Sequence, residues 1–299
     1  MDFAGKRKIW YALSLLVIIP GIIAMFLNRP ALNFGIDFTG GNLLQVKFER
    51  PVETSQVREV LKEFNLDKAT IQAAGPNEFL VRTPVLSEEE SEKLLAALKD
   101  KLGNLDIERN EKVGAVIGGE LTRKGLYALA LASVLMVIYI GIRFEFLFGI
   151  AAVLALLHDV LVTVGLFALF RWEVNSSFVA AVLTIIGYSI NDTIVIFDRI
   201  RENLRLRKKE SLEELVNKSI IQSLTRSINT VTTVIMALLA LLFLGGETTK
   251  IFALAMLIGT ISGTYSSIFT ASPLWIDFRN LAQQRRRTAR TKVKRATSP

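Results

Sequence analysis

The sequence contains no cysteine and only one histidine. Without cysteine the chain can form no disulfide, no thiolate nucleophile and no thiolate metal site. Cysteine usage therefore does not indicate whether the protein resides in an oxidising or a reducing compartment. A single histidine excludes a metal centre built from several histidines. The sequence also lacks a phosphate-binding glycine loop and a recognisable nucleophile motif. We therefore predict that the protein is not an enzyme, has no catalytic residues and holds no metal or organic cofactor.

Hydrophobic residues are abundant instead, at 51% of the chain, with a mean hydropathy of +0.40. This composition is typical of a polytopic membrane protein with a water-exposed part. A spanning helix needs about 20 mostly apolar residues. The first apolar run follows a basic segment but has no small-residue cleavage site, so we interpret it as an uncleaved anchor. Six segments qualify as spans: 9–27, 126–144, 146–170, 174–197, 219–244 and 251–278.

Positive charge is distributed unevenly around these spans. The net charge of +8 comes from segments that flank the spans, which argues against binding of nucleic acid. Lys and Arg are concentrated in residues 1–8, 198–218 and 279–299, whereas the short loops on the other side hold only Arg171 and Lys250. The positive-inside rule then places both termini in the cytoplasm. We interpret the basic tail 279–299 as part of this bias, rather than as a site for lipid or a ribosome.

The long polar segment 28–125 then lies outside the cytoplasm and is patterned like a small globular domain. Its predicted order is βαββαβ, an α+β ferredoxin-like fold that by itself says little about function. Leu44, Val46 and Phe48 alternate onto one face of its first strand, and Ser87 and Glu90 form a capping box. The predicted elements are strands at 42–49, 69–74, 79–83 and 105–113, and helices at 54–64 and 87–102.

Ionisable residues inside the apolar runs are the strongest functional signal. A charged side chain at membrane depth costs at least about 2.5 kcal/mol and usually marks an ion or proton path. Asp192 and Arg226 each lie seven residues from the cytoplasmic end of adjacent antiparallel spans, roughly 10 Å deep. We expect them to form an ion pair. Asp159, preceded by His158, lies roughly 20 Å in and is not expected to touch Asp192 directly.

These residues suit a stepwise proton or ion relay through Asp192, Arg226, Asp159 and Asn191. The alternatives are structural: the Asp192–Arg226 pair could only hold helices together, and His158–Asp159 could be only a structural hydrogen bond. Asp198 and Arg199 are interpreted as anchors at the end of a span. The small residues from Gly259 to Gly263 are interpreted as general packing within the bundle.

Three motifs of the sequence are distinctive: Asn33–Gly41, Leu157–Val160, and Ile186–Thr193 continuing into Phe197–Asn203. Together they resemble the SecF family of export-membrane subunits, which work with SecD. The resemblance covers nearly the whole chain. It implies half of a transporter of the proton-driven RND type, with Asn191–Asp192 at the place where that superfamily carries proton-binding acids and Arg226 as its membrane arginine. Only one of those two positions is acidic here.

The resemblance also implies what the protein does. The proton-motive force would be used, with SecD, to complete translocation of unfolded preproteins through the SecYEG channel of the bacterial inner membrane, after SecA has pushed them in. Sodium is an alternative coupling ion, because an oxygen-rich cluster around Asp192 could suit either ion. Two other functions stay open: a stand-alone exporter of RND type, and a scaffold that stabilises the channel without transducing energy.

A glycine-rich turn follows the first span. Gly40 and Gly41 permit positive φ and a tight turn into the first strand. Asp37 could accept hydrogen bonds from amides of the turn. We expect a structural role for this motif, rather than a part in transport.

Overall fold

The computed structural model of the chain describes residues 2–67, 69–143, 145–207 and 209–296. It has two compact units, one formed by Met1–Asn33 with Ala128–Pro299 and the other by Phe34–Tyr127. Among the described residues, six helices are long and apolar enough to cross a membrane. The predicted fold class, a six-span helical membrane protein with one α+β domain, is confirmed. The end of the basic tail, residues 297–299, lies outside the described residues.

The elements follow one another with short connections. In chain order they are α1 Arg7–Leu27, β1 Asn33–Phe34, α2 Ile36–Thr39, β2 Gly41–Phe48, α3 Thr54–Glu63, β3 Thr70–Gly75, β4 Glu78–Thr83, α4 Glu88–Leu102, β5 Leu105–Val113, α5 Ala115–Arg143, α6 Phe146–Phe170, β6 Glu173–Val174, α7 Ser176–Leu206, α8 Leu212–Leu244, α9 Glu247–Ser266, a π-helical turn Ser267–Ala271, and α10 Ser272–Ala296.

Helix α7 runs past the last apolar residue of its span. It continues to Leu206, although the predicted span ends at residue 197. Ion pairs between residues three apart, such as Arg199 with Glu202 at 2.8 Å, support helix in this polar extension. Hydropathy alone locates the part of the helix that lipid can surround, not the end of the helix.

The α+β unit contains a four-stranded antiparallel sheet with the order β3-β4-β2-β5. In this order β2 lies between β4 and β5, and β3 pairs with β4 on the far side from β2. The core of the unit includes Leu44, Val46 and Phe48, which confirms the predicted inward face of β2. Helix α4 begins with the predicted capping box, because the Ser87 hydroxyl accepts from the Glu90 amide and the Glu90 carboxylate accepts from the Ser87 amide.

Aromatic residues join three helices of the helical unit. The Phe148 ring of α6 stacks on Trp275 of α10 at 4.5 Å between centroids, and lies 4.8 Å from Phe197 of α7. All three side chains are almost completely buried. Three helices that are distant in sequence are thereby joined at one level of the unit, since buried aromatic pairs contribute beyond their apolar area.

Small residues bring several helices into close contact. A Cβ built on Gly263 of α9 would lie 3.0 Å from Ser189 Cβ of α7, and one built on Gly259 would overlap the side chain of Ile185 on α7. Packing of these glycines inside the bundle confirms their predicted role. The backbones of α1 and α6 also meet, because a Cβ on Gly21 would lie 2.6 Å from the Gly165 Cα.

We expect Gly21→Ala to lower the stability of the protein by about 1–3 kcal/mol, the usual cost of overpacking. The added methyl group meets the backbone of Gly165, which has no side chain that could move aside, so α1 and α6 must separate. Thermal unfolding of the purified chain in detergent measures the loss. Gly149→Ala is the control, since its Cβ meets only Ile140 Cγ2, at 3.5 Å. Equal destabilisation by both substitutions would contradict the packing argument.

Candidate functional site

Asp159 lies at the centre of a buried cluster of hydrogen bonds. Its side chain is completely buried in α6. Oδ1 is 2.9 Å from Nδ1 of His158 and accepts from the hydroxyl of Ser262 at 2.7 Å. Oδ2 accepts from the hydroxyls of Ser189 at 2.5 Å and Ser266 at 2.7 Å. Four donors on two oxygens give the carboxylate good compensation for its loss of water.

Three helices supply this cluster, and the spacing along each explains how. Ser262 and Ser266 are four residues apart on α9 and therefore point to the same side. Ser189 reaches in from α7, where Gly263 of α9 permits close approach of the two helices. His158 adjoins Asp159 on α6 and holds its ring against the carboxylate. We call Asp159, His158, Ser189, Ser262 and Ser266 the Asp159 cluster.

The cluster continues to α1 through the second ring nitrogen of His158. Nε2 lies 3.0 Å from the hydroxyl of Ser14. Ser14 is in turn 3.4 Å from the hydroxyl of Tyr265, which donates to the carbonyl of Trp10 at 2.7 Å. A polar chain therefore joins the Asp159 cluster to the first helix inside a largely apolar unit.

Asp192 has a different environment from Asp159. It lies on α7 one turn after Ser189 and its side chain is 6% exposed. Its Oδ2 is buried and makes no hydrogen bond to any residue in the described part of the chain. The side chain of Ser227 on α8 lies next to it. The neighbouring Thr193 forms a hydroxyl bond of 2.8 Å with Ser267. The hydroxyl of Ser227 approaches the carboxylate without forming a hydrogen bond of normal geometry, so Asp192 is a buried carboxylate that can take up a proton or a cation at Oδ2.

The expected ion pair between Asp192 and Arg226 is not formed in this structure. No ion pair within 4.0 Å joins Arg226 to Asp192 among the described residues, although the arginine is close enough for its charge to act on the carboxylate. The reason lies in the face of α8: Ser227 points inward and is buried, whereas the adjacent Arg226 is exposed on the outside of the isolated chain. Asp192 and Arg226 can lie at the same depth on adjacent helices, but depth does not determine the direction in which a side chain points.

The remaining predicted residues are spread over other surfaces. Asn191 is exposed and does not share the buried environment of its neighbour Asp192. Asp198 pairs with Arg201 at 3.3 Å and Arg199 pairs with Glu202, on the partly exposed extension of α7. The relay role proposed for these residues stays a prediction.

The depth expected for Asp159 needs correction. Counting residues placed it about 10 Å farther from the cytoplasm than Asp192. Ser189 bonds to Asp159 and precedes Asp192 by only three residues, or about 4.5 Å of helix rise. The two carboxylates therefore differ in level by about one helical turn.

Sequence reasoning missed the hydroxyl groups that surround Asp159. Ser189, Ser262 and Ser266 bond Asp159, and Ser14 and Tyr265 continue the chain beyond His158. All five are scattered over three helices and resemble ordinary small or amphipathic residues of a bundle. One signal was available, since Ser262 and Ser266 repeat at helical spacing within an apolar run. Nothing in the sequence, however, indicates that this face of α9 is directed towards Asp159.

The glycine-rich turn adopts the expected conformation. Gly40 and Gly41 have φ of 71° and 122°, which confirms the predicted positive φ at this turn. A Cβ on Gly41 would overlap the carbonyl oxygen of Thr83, so this position requires glycine for space as well. Asp37 lies in the short helix α2 just before the turn.

Comparison with known families and relatives agrees over most of the chain. A model described as "Protein export membrane protein SecD/SecF, C-terminal" matches residues 93–281, and a "SecD/SecF GG Motif" model matches residues 30–52. "Protein translocase subunit SecF" of Sebaldella termitidis is 44% identical over 90% of this chain and 88% of its own length. "Protein translocase subunit SecDF" of Bacillus subtilis is 40% identical over 92% of this chain and 38% of its own length.

Solved structures show the same relationship. The crystal structure of SecDF from Thermus thermophilus superposes with a TM-score of 0.85 at 38% identity, over 94% of this chain. A structure of SecDF in a "Super-membrane-facing form" gives a TM-score of 0.70, also at 38% identity, over 98% of this chain. This chain spans only 39% and 40% of those two chains. On the match of its sequence, spans and glycine motif, the chain belongs to the SecD/SecF family of protein export membrane proteins.

Proposed function

We propose that the chain is the SecF-like subunit of the protein translocase, and that it works with SecD to promote preprotein translocation across the cytoplasmic membrane with energy from the proton-motive force. Relatives that match nearly end to end are named protein translocase subunits, and longer relatives combine SecD and SecF in one chain. Translocation would proceed through SecYEG, with SecA acting upstream. A transport role of this kind requires no catalytic residue.

The buried, incompletely bonded carboxylate of Asp192 is the observation that carries this proposal. A carboxylate in a membrane span is costly, and a purely structural one would be expected to have its acceptors filled, as those of Asp159 are. Asp192 keeps an acceptor free in a buried position. This is a suitable environment for a group that alternates between a charged and a neutral form.

The exposed face of α8 supports partnership with SecD. Polar side chains recur there every three or four residues and are exposed on the isolated chain. In contact with lipid these groups would be costly, whereas a second membrane subunit could satisfy them. We infer that the SecD membrane region covers this face. The exposed residues are Gln222, Thr225, Arg226, Asn229 and Thr233.

Arg226 then acts as the movable partner of Asp192. A nearby positive charge favours the ionised carboxylate, and withdrawal of that charge favours uptake of a proton. Since no direct ion pair is formed, the arginine can approach or retreat by a change of rotamer or a small shift of α8. Proton binding at Asp192 would in this way be linked to the relative position of the two subunits.

The distribution of charge supports the location that we propose. Both termini lie in the cytoplasm, the chain resides in the bacterial inner membrane, and the α+β unit lies outside, where it meets the emerging preprotein or the external part of SecD. The basic ends of the spans face the side on which SecA acts.

Preprotein import into inverted membrane vesicles, with the proton and sodium gradients collapsed separately, tests the proposal. We expect collapse of the proton gradient to remove the contribution of this subunit and collapse of the sodium gradient to leave it unchanged. The reverse result would assign sodium as the coupling ion. Import that responds to neither gradient would contradict energy transduction and favour a scaffold.

We expect Arg226→Ala to lower gradient-dependent import by roughly 10²-fold, the range for loss of a group needed in proton transfer. Arg199→Ala is the matched control. Arg199 is a partly exposed arginine on α7, just after the apolar span ends, and forms an ion pair with Glu202. Its import should stay near that of the unsubstituted protein. Equal loss in both variants would show that Arg226 has no specific role.

A further inference from the structure

The residues that precede helix α1 fold back onto the helical unit. The first residues of a domain are usually poorly ordered unless other elements hold them. Here Phe3 is 5% exposed and Ala4 is completely buried. The rings of Phe3 and Trp10 lie 5.7 Å and 4.4 Å from the ring of Phe269 in the π-helical turn. The indole N–H of Trp10 donates to the carbonyl of Phe3 at 3.1 Å. This segment is therefore packed as part of the unit.

Asn217 of α8 binds this segment through three hydrogen bonds. Its Oδ1 accepts from the backbone amides of Phe3 and Ala4, each at 2.9 Å. Its Nδ2 donates at 2.9 Å to Oδ1 of Asp2, which also accepts from the amide of Gly5 at 2.8 Å. The bonds from Asn217 and Gly5 lower the pKa of the Asp2 carboxyl, so it is an anion at neutral pH. Because backbone amides only donate and a carboxylate only accepts, the orientation of the Asn217 amide group is determined.

The first turns of α1 extend these contacts to α10. Nε of Arg7 lies 2.8 Å from one carboxylate oxygen of Asp277 on α10, and the hydroxyl of Tyr11 donates to the other at 3.0 Å. Arg7 also donates to the carbonyl of Ala4 at 3.0 Å, and its Nη1 lies 4.0 Å from a carboxylate oxygen of Glu213 on α8. The side chains of Arg7 and Asp277 are partly buried, so solvent screens their ion pair less than a fully exposed one. Residues 2–11 thus contact α8 and α10 together.

Helix α8 depends on such contacts more than its neighbours do. In the apolar part of α8 17% of the residues are buried, against 50% in α6 and in α7. Apolar packing within the chain therefore holds α8 less firmly than α6 or α7, since the stabilisation from packing scales with the apolar area that is buried. Polar contacts at its first turns then contribute a larger share of what fixes its position.

A shift at the first turns of α8 is transmitted along the helix. It is one continuous helix, Leu212–Leu244, and contains neither proline nor glycine, the usual causes of a sharp kink. Asn217 precedes Ser227 by ten residues, or roughly 15 Å of helix. Ser227 lies next to Asp192, and the charge of Arg226 acts on the same carboxylate. Rotation or tilt of α8 at Asn217 therefore changes the position of both groups relative to Asp192.

We propose that residues 2–11 form an N-terminal clasp that holds the first turns of α8 against α1 and α10, and that Asn217 is thereby a positioning residue for proton binding at Asp192. The clasp itself stands on the contacts described above. Its link to Asp192 deepens the proposed function and rests on it. Loss of the clasp frees the first turns of α8 and moves Ser227 and Arg226 relative to the carboxylate.

Hydrogen exchange of the backbone amides of α8 tests the clasp without reference to export. Asn217→Ala in the full chain, purified in detergent, removes the three bonds to residues 2–4. We expect the amides in the first three turns of α8 to exchange about tenfold faster than in the unsubstituted chain. Unchanged exchange would overturn the proposal.

Lys218→Ala is the matched control for this measurement. It removes a longer side chain from the next position of α8, where Lys218 forms an exposed ion pair with Glu210 at 3.2 Å. Exposed pairs of this kind contribute little, so exchange should stay as in the unsubstituted chain. Equal acceleration by both alanine variants would show that the bonds of Asn217 have no specific role, which would also overturn the clasp.

Asn217→Asp separates the bonds to the backbone from the loss of the side chain. The aspartate keeps an oxygen for the amides of Phe3 and Ala4 and gives up the bond to Asp2. Asp2 is exposed, so solvent screens the two carboxylates from each other. We expect exchange close to that of the unsubstituted chain. Exchange as fast as in the alanine variant would show that the amides of Phe3 and Ala4 do not hold α8.

Import into inverted vesicles tests the positioning role. Gradient-dependent import should fall by about tenfold in the Asn217→Ala variant, because displacement of a group by about 1 Å is enough to slow a positioned reaction. Import should be retained in the Asn217→Asp variant. Full import by Asn217→Ala despite faster exchange would overturn the link to Asp192. Faster exchange in Asn217→Ala together with normal import by an Asp192→Asn variant would count against the function proposed for Asp192, while the clasp would stand.

Discussion

Replacement of Asp192 by Asn is expected to lower gradient-dependent import by roughly 10²-fold while the protein still assembles with its partner. Asparagine matches the size of aspartate but cannot bind and release a proton. The hydroxyl of Ser227 lies beside the carboxylate, and the amide of asparagine can occupy the same place beside it, so the substitution removes no contact that the fold depends on. Import into inverted vesicles measures the effect, and copurification with SecD measures assembly.

Asp198→Asn is the matched control for this prediction. Asp198 lies six residues farther along the same helix, paired with Arg201 and partly exposed, so its replacement should leave import nearly unchanged. Full gradient-dependent import by the Asp192→Asn variant would contradict a role in energy transduction. The carboxylate would then be a structural feature of a scaffold, and the membrane unit would have to act by stabilising the channel alone.

Asp159→Ala is expected to have the largest effect on stability, about 3–5 kcal/mol. The substitution leaves the His158 ring and the hydroxyls of Ser189, Ser262 and Ser266 without their common acceptor, in a position from which water is excluded. Three helices lose their shared contact at once. Thermal unfolding in detergent should show the loss, together with a smaller yield of monodisperse protein.

The corresponding control is Asp198→Ala. Its ion pair with Arg201 spans 3.3 Å on a partly exposed surface, and such pairs contribute about 0–1 kcal/mol. A similar loss of stability for the two alanine variants would show that the buried hydrogen bonds of Asp159 contribute no more than a surface ion pair. The hydrogen bonds of the Asp159 cluster would then not be what holds α6, α7 and α9 together.

The two buried carboxylates thus have opposite environments on adjacent helices. Asp159 has every acceptor position filled, whereas Asp192 has a free one. In the sequence both are simply aspartates in apolar runs, and both were assigned to the same relay. The structure separates their roles: Asp159 joins three helices through its hydrogen bonds, whereas Asp192 is the carboxylate that we propose for proton binding.

The sequence by itself determined the fold class, the number of spans and the presence of an α+β domain. Each follows from local properties. The backbone polar groups of a long apolar run can be hydrogen-bonded within the membrane when the run folds as a helix. Period-two alternation places Leu44, Val46 and Phe48 in a core. The capping box at Ser87 and the positive φ of Gly40 and Gly41 also depend only on residues close in sequence, so the sequence predicts them as well.

Only the tertiary structure decided which polar groups meet. Arg226 and Ser227 are neighbours in sequence, yet one is exposed and the other lies beside Asp192, because rotation of α8 about its axis is fixed by packing against other helices. The serines around Asp159 come from helices about 30 and 100 residues away in the chain. Periodicity defines the faces of one helix, but the partner of each face depends on contacts between distant segments, to which a single sequence gives no access.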